Sequence, residues 1–253
     1  MPPRMAIVLA AGKGTRMNSE IPKVLHPVCG RPMIHFVLDA IQQCGVERTI
    51  VVVGYRADSV RDELSARENI VFTTQAQQMG TGHAVQICRP HLDQHEGAVL
   101  IVTGDSPLIQ VDSVTALLKT YDQVTPACIL GTAHKQNPTG LGRIQRDQHG
   151  DFAAIVEEKD TTEAQRAITE VNLSTYLFNC ARLRFALDHL SNDNQQGEYY
   201  ITDCPGILKQ AGNDVRAMDL LRACEALSIN TPQELLLVEE EMRKMGYPDF
   251  SGD

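Results

Sequence analysis

The residue types best suited to chemistry gather near the start, in Leu9-Ala10-Ala11-Gly12-Lys13-Gly14-Thr15-Arg16-Met17, closed by Pro22-Lys23. Glycines at 12 and 14 allow unusual backbone angles, so N–H groups can turn toward a phosphate while Arg16 and Lys23 neutralise it. An anion site is expected here. A second stretch, Gln75-Ala76-Gln77-Gln78-Met79-Gly80-Thr81-Gly82-His83, carries an amide that both donates and accepts, which suits the hydrogen-bonding edge of a planar heterocycle. A third, Thr103-Gly104-Asp105, follows an apolar run and puts a carboxylate where it can hold Mg²⁺ over a cleft. Each has a plainer alternative: a turn with solvated cations, a polar loop capping a helix through Thr81, a turn aspartate.

Two better-known glycine motifs do not fit. A P-loop ends in Gly-Lys-Ser/Thr, whereas Lys13 lies between the glycines here. A dinucleotide fingerprint needs a small residue where Met17 stands and an acidic residue closing the next strand, where Val53-Gly54 leads into Tyr55-Arg56.

The first stretch resembles the L-x-A-G-x-G-T-R-M…P-K signature of sugar-1-phosphate nucleotidyltransferases. Within that family the chain most resembles the uridyltransferase domains of bacterial N-acetylglucosamine-1-phosphate uridyltransferases, over about residues 5–240. Later blocks carry the likeness further. Pro138-Thr139-Gly140-Leu141-Gly142-Arg143-Ile144 is similar to P-x-G-Y-G-R-I, with Leu141 in place of Tyr, and Gln196-Gly197-Glu198-Tyr199-Tyr200-Ile201-Thr202-Asp203 is similar to Q-G-E-Y-Y-x-T-D.

The resemblance implies an α/β fold, a Rossmann-like mixed, mostly parallel sheet flanked by helices (the nucleotide-diphospho-sugar transferase fold) with a β-rich sugar-binding insertion. It implies uridylyl transfer from UTP to N-acetylglucosamine 1-phosphate with Mg²⁺ as cofactor. Leu9, Ala10, Ala11 and Gly12 would meet the nucleotide through backbone groups, with Gln75, Gly80 and Thr81 at the base and Thr103 and Gly104 beside it. Arg16 and Lys23 would be catalytic, holding phosphate charge. Asn230, in Ile229-Asn230-Thr231-Pro232, would share the metal with Asp105, although Asn-Thr-Pro also makes a good helix cap. Gly140, Glu157 and Asn172 would bind the sugar. The Gln196–Asp203 block would start a helix and pack two tyrosines on the sugar side. Leu141 replaces a Tyr, Thr103 stands where an aromatic is frequent and would make a backbone contact, and the departure at Leu173-Ser174 after Asn172 leaves the sugar open. A relative using another sugar 1-phosphate, or a non-catalytic nucleotide-sensing module, are the alternative readings.

The chemistry asks for positioning more than for a general base. A phosphate monoester has its second pKa near ~6, so the attacking group is mostly dianionic at neutral pH. Two polyanions must be aligned and the charge on the transferred phosphorus stabilised.

Helices and strands must place these groups. Apolar runs predict strands at 5–10, 49–53, 70–74 and 98–102, alternating with helices at 32–44, 57–64, 82–89 and 112–121, the last with Asp112 as N-cap. Beyond residue 126 strands are expected at 127–131, 142–146, 152–157, 171–178 and 215–220, and helices at 161–168, 181–190, 199–210 and 232–245. One domain is expected over 1–253: a nucleotide part at about 5–125, a sugar part at about 126–230, then a helix and tail.

At 253 residues, 43% hydrophobic and 22% charged, the composition is that of a globular chain. A net charge of −9 argues against nucleic acid as partner and requires local cations at any phosphate site. Seven scattered cysteines without a Cys-x-x-Cys pair fit reduced thiols. No run approaches the ~20 apolar residues of a membrane span, and Met1-Pro2-Pro3-Arg4 leads into the first strand without a secretory segment, so a cytoplasmic location and no membrane partner are expected. No hexapeptide repeat occurs, so the acetyl-transfer half of the family's bifunctional members is not expected. The sequence leaves homo-oligomerisation open.

Overall fold

The computed structural model describes residues 4–251. The lead-in at 1–3 and the tail at 252–253 lie outside the described residues. In chain order the elements are β1 (Met5–Ala10), β2 (Pro27–Val28), β3 (Arg31–Pro32), α1 (Met33–Gln43), β4 (Arg48–Val53), α2 (Ala57–Glu63), β5 (Ile70–Thr74), α3 (Thr81–Gln86), α4 (Arg89–Leu92) and β6 (Ala98–Thr103). There follow α5 (Val111–Val124), β7 (Cys128–His134), β8 (Arg143–Arg146), β9 (Phe152–Val156), α6 (Glu163–Arg166), β10 (Glu170–Asn179), α7 (Cys180–Asp188), α8 (Asp203–Gln210), β11 (Val215–Asp219) and α9 (Pro232–Lys244).

The main sheet runs β11-β7-β10-β6-β1-β4-β5. Strands β6, β1, β4 and β5 are parallel, as are β7 and β11, while β10 enters antiparallel to both β6 and β7. The β8–β9 hairpin attaches beside β10. This is the mixed, mostly parallel, helix-covered sheet expected of the nucleotide-diphospho-sugar transferase fold, and β8–β9 is its β-rich insertion.

Continuous apolar runs in β1, β4 and β6 follow from burial on both faces. Ala6, Val8, Val51 and Leu100 pack toward α1 and α5, while Ile7, Val52, Val99 and Ile101 pack toward α3 and α7. A third cluster joins Met17, Val28 and Met33 to Ile229, Val238 and Met242, folding the end of the described chain back onto the first loop. That return makes the site possible.

Several local expectations are corrected. Asp112 is inside α5 rather than its cap; Gln110 is the N-cap, and Glu225 accepts from the Gln110 amide at 3.0 Å. Gly80, not Thr81, caps α3; its φ of 102° suits glycine, and Thr81 Oγ1 instead accepts from the Ile201 amide at 3.1 Å. Helix formation over 161–168 shrinks to α6 behind a capping box at Thr162 and Gln165. The helix expected at 82–89 divides into α3 and α4. The helix expected from Tyr199 begins at Asp203, because Tyr199 is tied to another loop: its amide donates to Met79 O at 2.9 Å and its carbonyl accepts from Gly82 N at 2.7 Å.

Candidate active site

Strands β1 and β6 end side by side, Leu9 opposite Thr103, and the Gly104 amide donates to Leu9 O at 2.9 Å. The loop after β1 therefore lies beside Thr103-Gly104-Asp105, at the carboxyl ends of parallel strands where such sheets open a crevice. Ala11 O accepts from the Tyr55 amide at 3.1 Å and from Gln78 Nε2 at 2.6 Å, fixing the start of that loop. Gly14 sits at φ 65°, and a Cβ there would lie 2.8 Å from Lys23 Cβ. Only a bare backbone lets the Lys23 stem cross the loop.

Four residues meet at the junction. Lys23 Nζ donates to Asn230 Oδ1 at 2.7 Å and also to Asp105 Oδ2. Arg16 Nη2 donates to the same Asn230 oxygen at 3.0 Å. The long return of the chain is locked at this point, because the Ile229 amide donates to the Asp105 carbonyl at 3.1 Å and the Ile229 side chain is fully buried. Asn230 is also held through its backbone, whose amide donates to Glu234 Oε2 at 2.8 Å, while Thr231 caps α9.

Two cavities share Thr103 and Asp105 as a common wall. The smaller, about 280 Å³, is lined by Leu9, Ala10, Ala11, Gly12, Lys23, Gln75, Gly80 and Thr81 among others. The larger, about 410 Å³, is lined by Arg16, Gly140, Asn172 and Asn230, with Lys135, Ser106 and Leu237. Gly104 lines neither and serves as a backbone link. Asn172 sits at an irregularity in β10, where the register with β7 shifts between Asn172 and Thr175; its Nδ2 donates to the Tyr176 hydroxyl at 2.7 Å.

Glu157 stands apart from both linings. Its Oε1 accepts from the Thr202 hydroxyl at 2.8 Å, and burial pushes its carboxyl above the usual range. Asp203 next to it is raised to about 6 by burial and by Glu157 and Asp160. The Gln196–Asp203 block is divided in its work: Tyr199 backbone groups brace Met79 and Gly82, Glu198 lines the smaller cavity, and Tyr200 packs buried near Glu157 and Asp160.

Three contributors lie outside the sequence expectations. Lys135 lines the larger cavity with its Nζ 3.4 Å from Ala226 O. Glu225 lines the same cavity while bonding Gln110, Ser113 and Arg222. Glu158 receives the Gly140 amide at 3.1 Å. No motif marked them.

The chain is similar to the bifunctional protein GlmU of Geobacillus sp. (strain WCH70), 44% identical over 241 residues, and to that of Heliobacterium modesticaldum, 45% over 236 residues. These matches cover 95% and 93% of this chain but 52% and 51% of those proteins, so the chain spans about half the length of the curated relatives it matches. A crystal structure of UDP-glucose pyrophosphorylase complexed with UDP-glucose shares the fold at TM-score 0.78 and 15% identity, covering 97% of this chain and all of that one. Residues 6–203 match the family described as the MobA-like NTP transferase domain, a span that holds the first loop, the Gln75–His83 stretch and the Asp105 turn. By that match over most of its length, the chain belongs to the MobA-like NTP transferase family.

Proposed function

We propose that this chain transfers a uridylyl group from UTP to N-acetylglucosamine 1-phosphate, releasing pyrophosphate. The observation that carries the reading is the convergence of Arg16, Lys23, Asp105 and Asn230 on the wall shared by two cavities. The names of the GlmU relatives and the NTP transferase family support the reaction class.

In this reading UTP takes the smaller cavity, its base at Gln75, Gly80 and Thr81 and its triphosphate along Leu9 to Gly12. The sugar phosphate takes the larger, against Gly140 and Asn172, whose lining does not include the expected Glu157. A phosphate oxygen of the sugar attacks the α-phosphorus; the new O–P bond forms as the bond to pyrophosphate breaks. Arg16 and Lys23 hold the charge on the transferred and departing groups. Because the nucleophile is already ionised at neutral pH, no residue needs to take a proton from it.

The donor set fits a hard divalent cation. A carboxylate oxygen and an amide oxygen already converge on one positive group, the Lys23 ammonium. No cluster of three or more His, Cys, Asp or Glu suited to a metal occurs among the described residues, so phosphate and water oxygens would complete the shell. Asp105 and Asn230 would hold Mg²⁺, which when bound neutralises phosphate charge and orients the reacting groups.

The sugar is the part most open to a second reading. Leu141 and Leu173-Ser174, where the chain departs from the family pattern, line the larger cavity together with Lys135, which favours a panel of sugar 1-phosphates as the test. Pyrophosphate release from UTP, dTTP, CTP and GTP against that panel, with and without Mg²⁺, should peak at UTP with N-acetylglucosamine 1-phosphate and require the metal. Asp105→Ala should cost roughly 10³-fold or more in turnover. Full turnover by Asp105→Ala would remove the metal assignment, and a preference for another pair would replace the substrates. Among the described residues no helix is long and apolar enough to cross a membrane.

A further inference from the structure

The two oxygens assigned to a divalent ion already have a cation between them. Lys23 Nζ bridges Asp105 Oδ2 and Asn230 Oδ1, with the Lys23 and Asp105 side chains 12% and 21% exposed. Arg16 adds a second positive group on the Asn230 oxygen. The lysine stem is pressed along Gly14, so the reach of its ammonium is set by the loop rather than by chance. A half-buried carboxylate in a site shaped for polyanions needs a counter-ion, and Lys23 supplies it.

We propose that Lys23 is the resident counter-ion of this junction, and that its ammonium and a divalent metal exclude each other between Asp105 and Asn230. The inference rests on the reading of those two residues as metal donors. Both cations are positive and both need the same oxygens, so metal entry requires Lys23 to withdraw. Withdrawal is favourable only when something else holds the ammonium. The phosphates of a nucleotide provide that second station, with Arg16 following. Metal binding to the free chain is therefore weak, and nucleotide and metal load cooperatively, each raising the affinity of the other by the same factor.

The test is Mn²⁺ binding followed by electron paramagnetic resonance on wild type, Lys23→Met and Lys23→Gln, first without nucleotide. Removing the internal cation should strengthen Mn²⁺ binding to the free chain at least tenfold in both variants, and Asp105→Ala in the Lys23→Met background should abolish the gain. Lys23→Gln keeps a polar group over Gly14, so it carries the comparison if Lys23→Met does not fold. Unchanged or weaker Mn²⁺ binding in the folded lysine variants overturns the proposal. The metal reading itself is judged separately, by protein-bound Mn²⁺ in wild type with UTP: its presence together with unchanged lysine variants refutes only the lysine exclusion. If Asp105→Ala leaves that UTP-dependent signal intact, the donors are misassigned and both ideas fall.

Discussion

The Gly140 amide donates to Glu158 Oε2 across 3.1 Å, and the same carboxylate oxygen lies 2.8 Å from Arg143 Nη2. Arg143 is only 2% exposed and also donates to Leu141 O, so one buried guanidinium and one carboxylate hold two successive residues in the wall of the larger cavity.

Glu158→Gln should therefore act on the sugar phosphate and not on UTP. The amide still reaches Gly140 but leaves Arg143 without its counter-charge, so the 140–141 wall loosens. A rise of roughly tenfold in KM for the sugar phosphate, about 1.4 kcal/mol, with KM for UTP unchanged, is the expected pattern. Steady-state kinetics with each substrate varied in turn checks it; equal shifts in both KM values would mark Glu158 as a general stability residue.

Stability should carry a pH signature from Asp203. Burial, with Glu157 and Asp160 nearby, raises its carboxyl to about 6, above the ~4 of an unfolded chain. Between those values the folded state binds more protons than the unfolded one, so this group's contribution turns against the fold as pH rises from about 4 to 6. Asp203→Asn should stabilise the chain by about 1–2 kcal/mol at pH 7.5 and by nothing near pH 4. Denaturant titrations at the two pH values test this, and a gain of equal size at both would point to lost repulsion of another origin.

How much of this could be read from the sequence depended on how local the cause was. The central strands were legible because β1, β4 and β6 are apolar on both faces. Gly12, Gly14, Arg16, Lys23 and Asp105 were legible because a phosphate site needs those types in a short loop beside a strand end. Asn230 came only through resemblance, since Asn-Thr-Pro also caps α9, and it does cap-like work there as well. Asp112 was misread as a cap, and the plainer alternative of Thr81 as one fails, because their competitors, the Glu225 carboxylate and the Gly80 backbone, act by distance across the fold and by backbone angle. Lys135 and Glu158 gave no local signal, as their roles exist only once β7, β8 and β10 pack together.

Glu225 makes that last point measurable. It is buried, it accepts from the amides of Gln110 and Arg222 at 3.0 and 2.8 Å, and it accepts from the Ser113 hydroxyl at 2.6 Å. Glu225→Ala strands two donors at the start of α5 and the Arg222 amide, which should cost about 2–4 kcal/mol. Thermal unfolding should register the loss; a change below about 0.5 kcal/mol would mean the donors find water instead.

Base selectivity should trace to the orientation of the Gln75 amide. Its Nε2 lies 3.0 Å from the Gly80 carbonyl and 3.0 Å from His83 Nδ1. A flipped amide would set two oxygens against each other at Gly80, so the carbonyl fixes the nitrogen inward and leaves Oε1 as the atom to meet a ligand in the smaller cavity. An acceptor there suits the N3–H of uracil and opposes the bare N3 of cytosine. Gln75→Ala should thus lower kcat/KM for UTP while leaving CTP nearly unaffected, narrowing the UTP-to-CTP ratio by roughly 10- to 100-fold. If instead both nucleotides lose equally, Gln75 acts only as the brace of Gly80 and His83, and the base is chosen elsewhere.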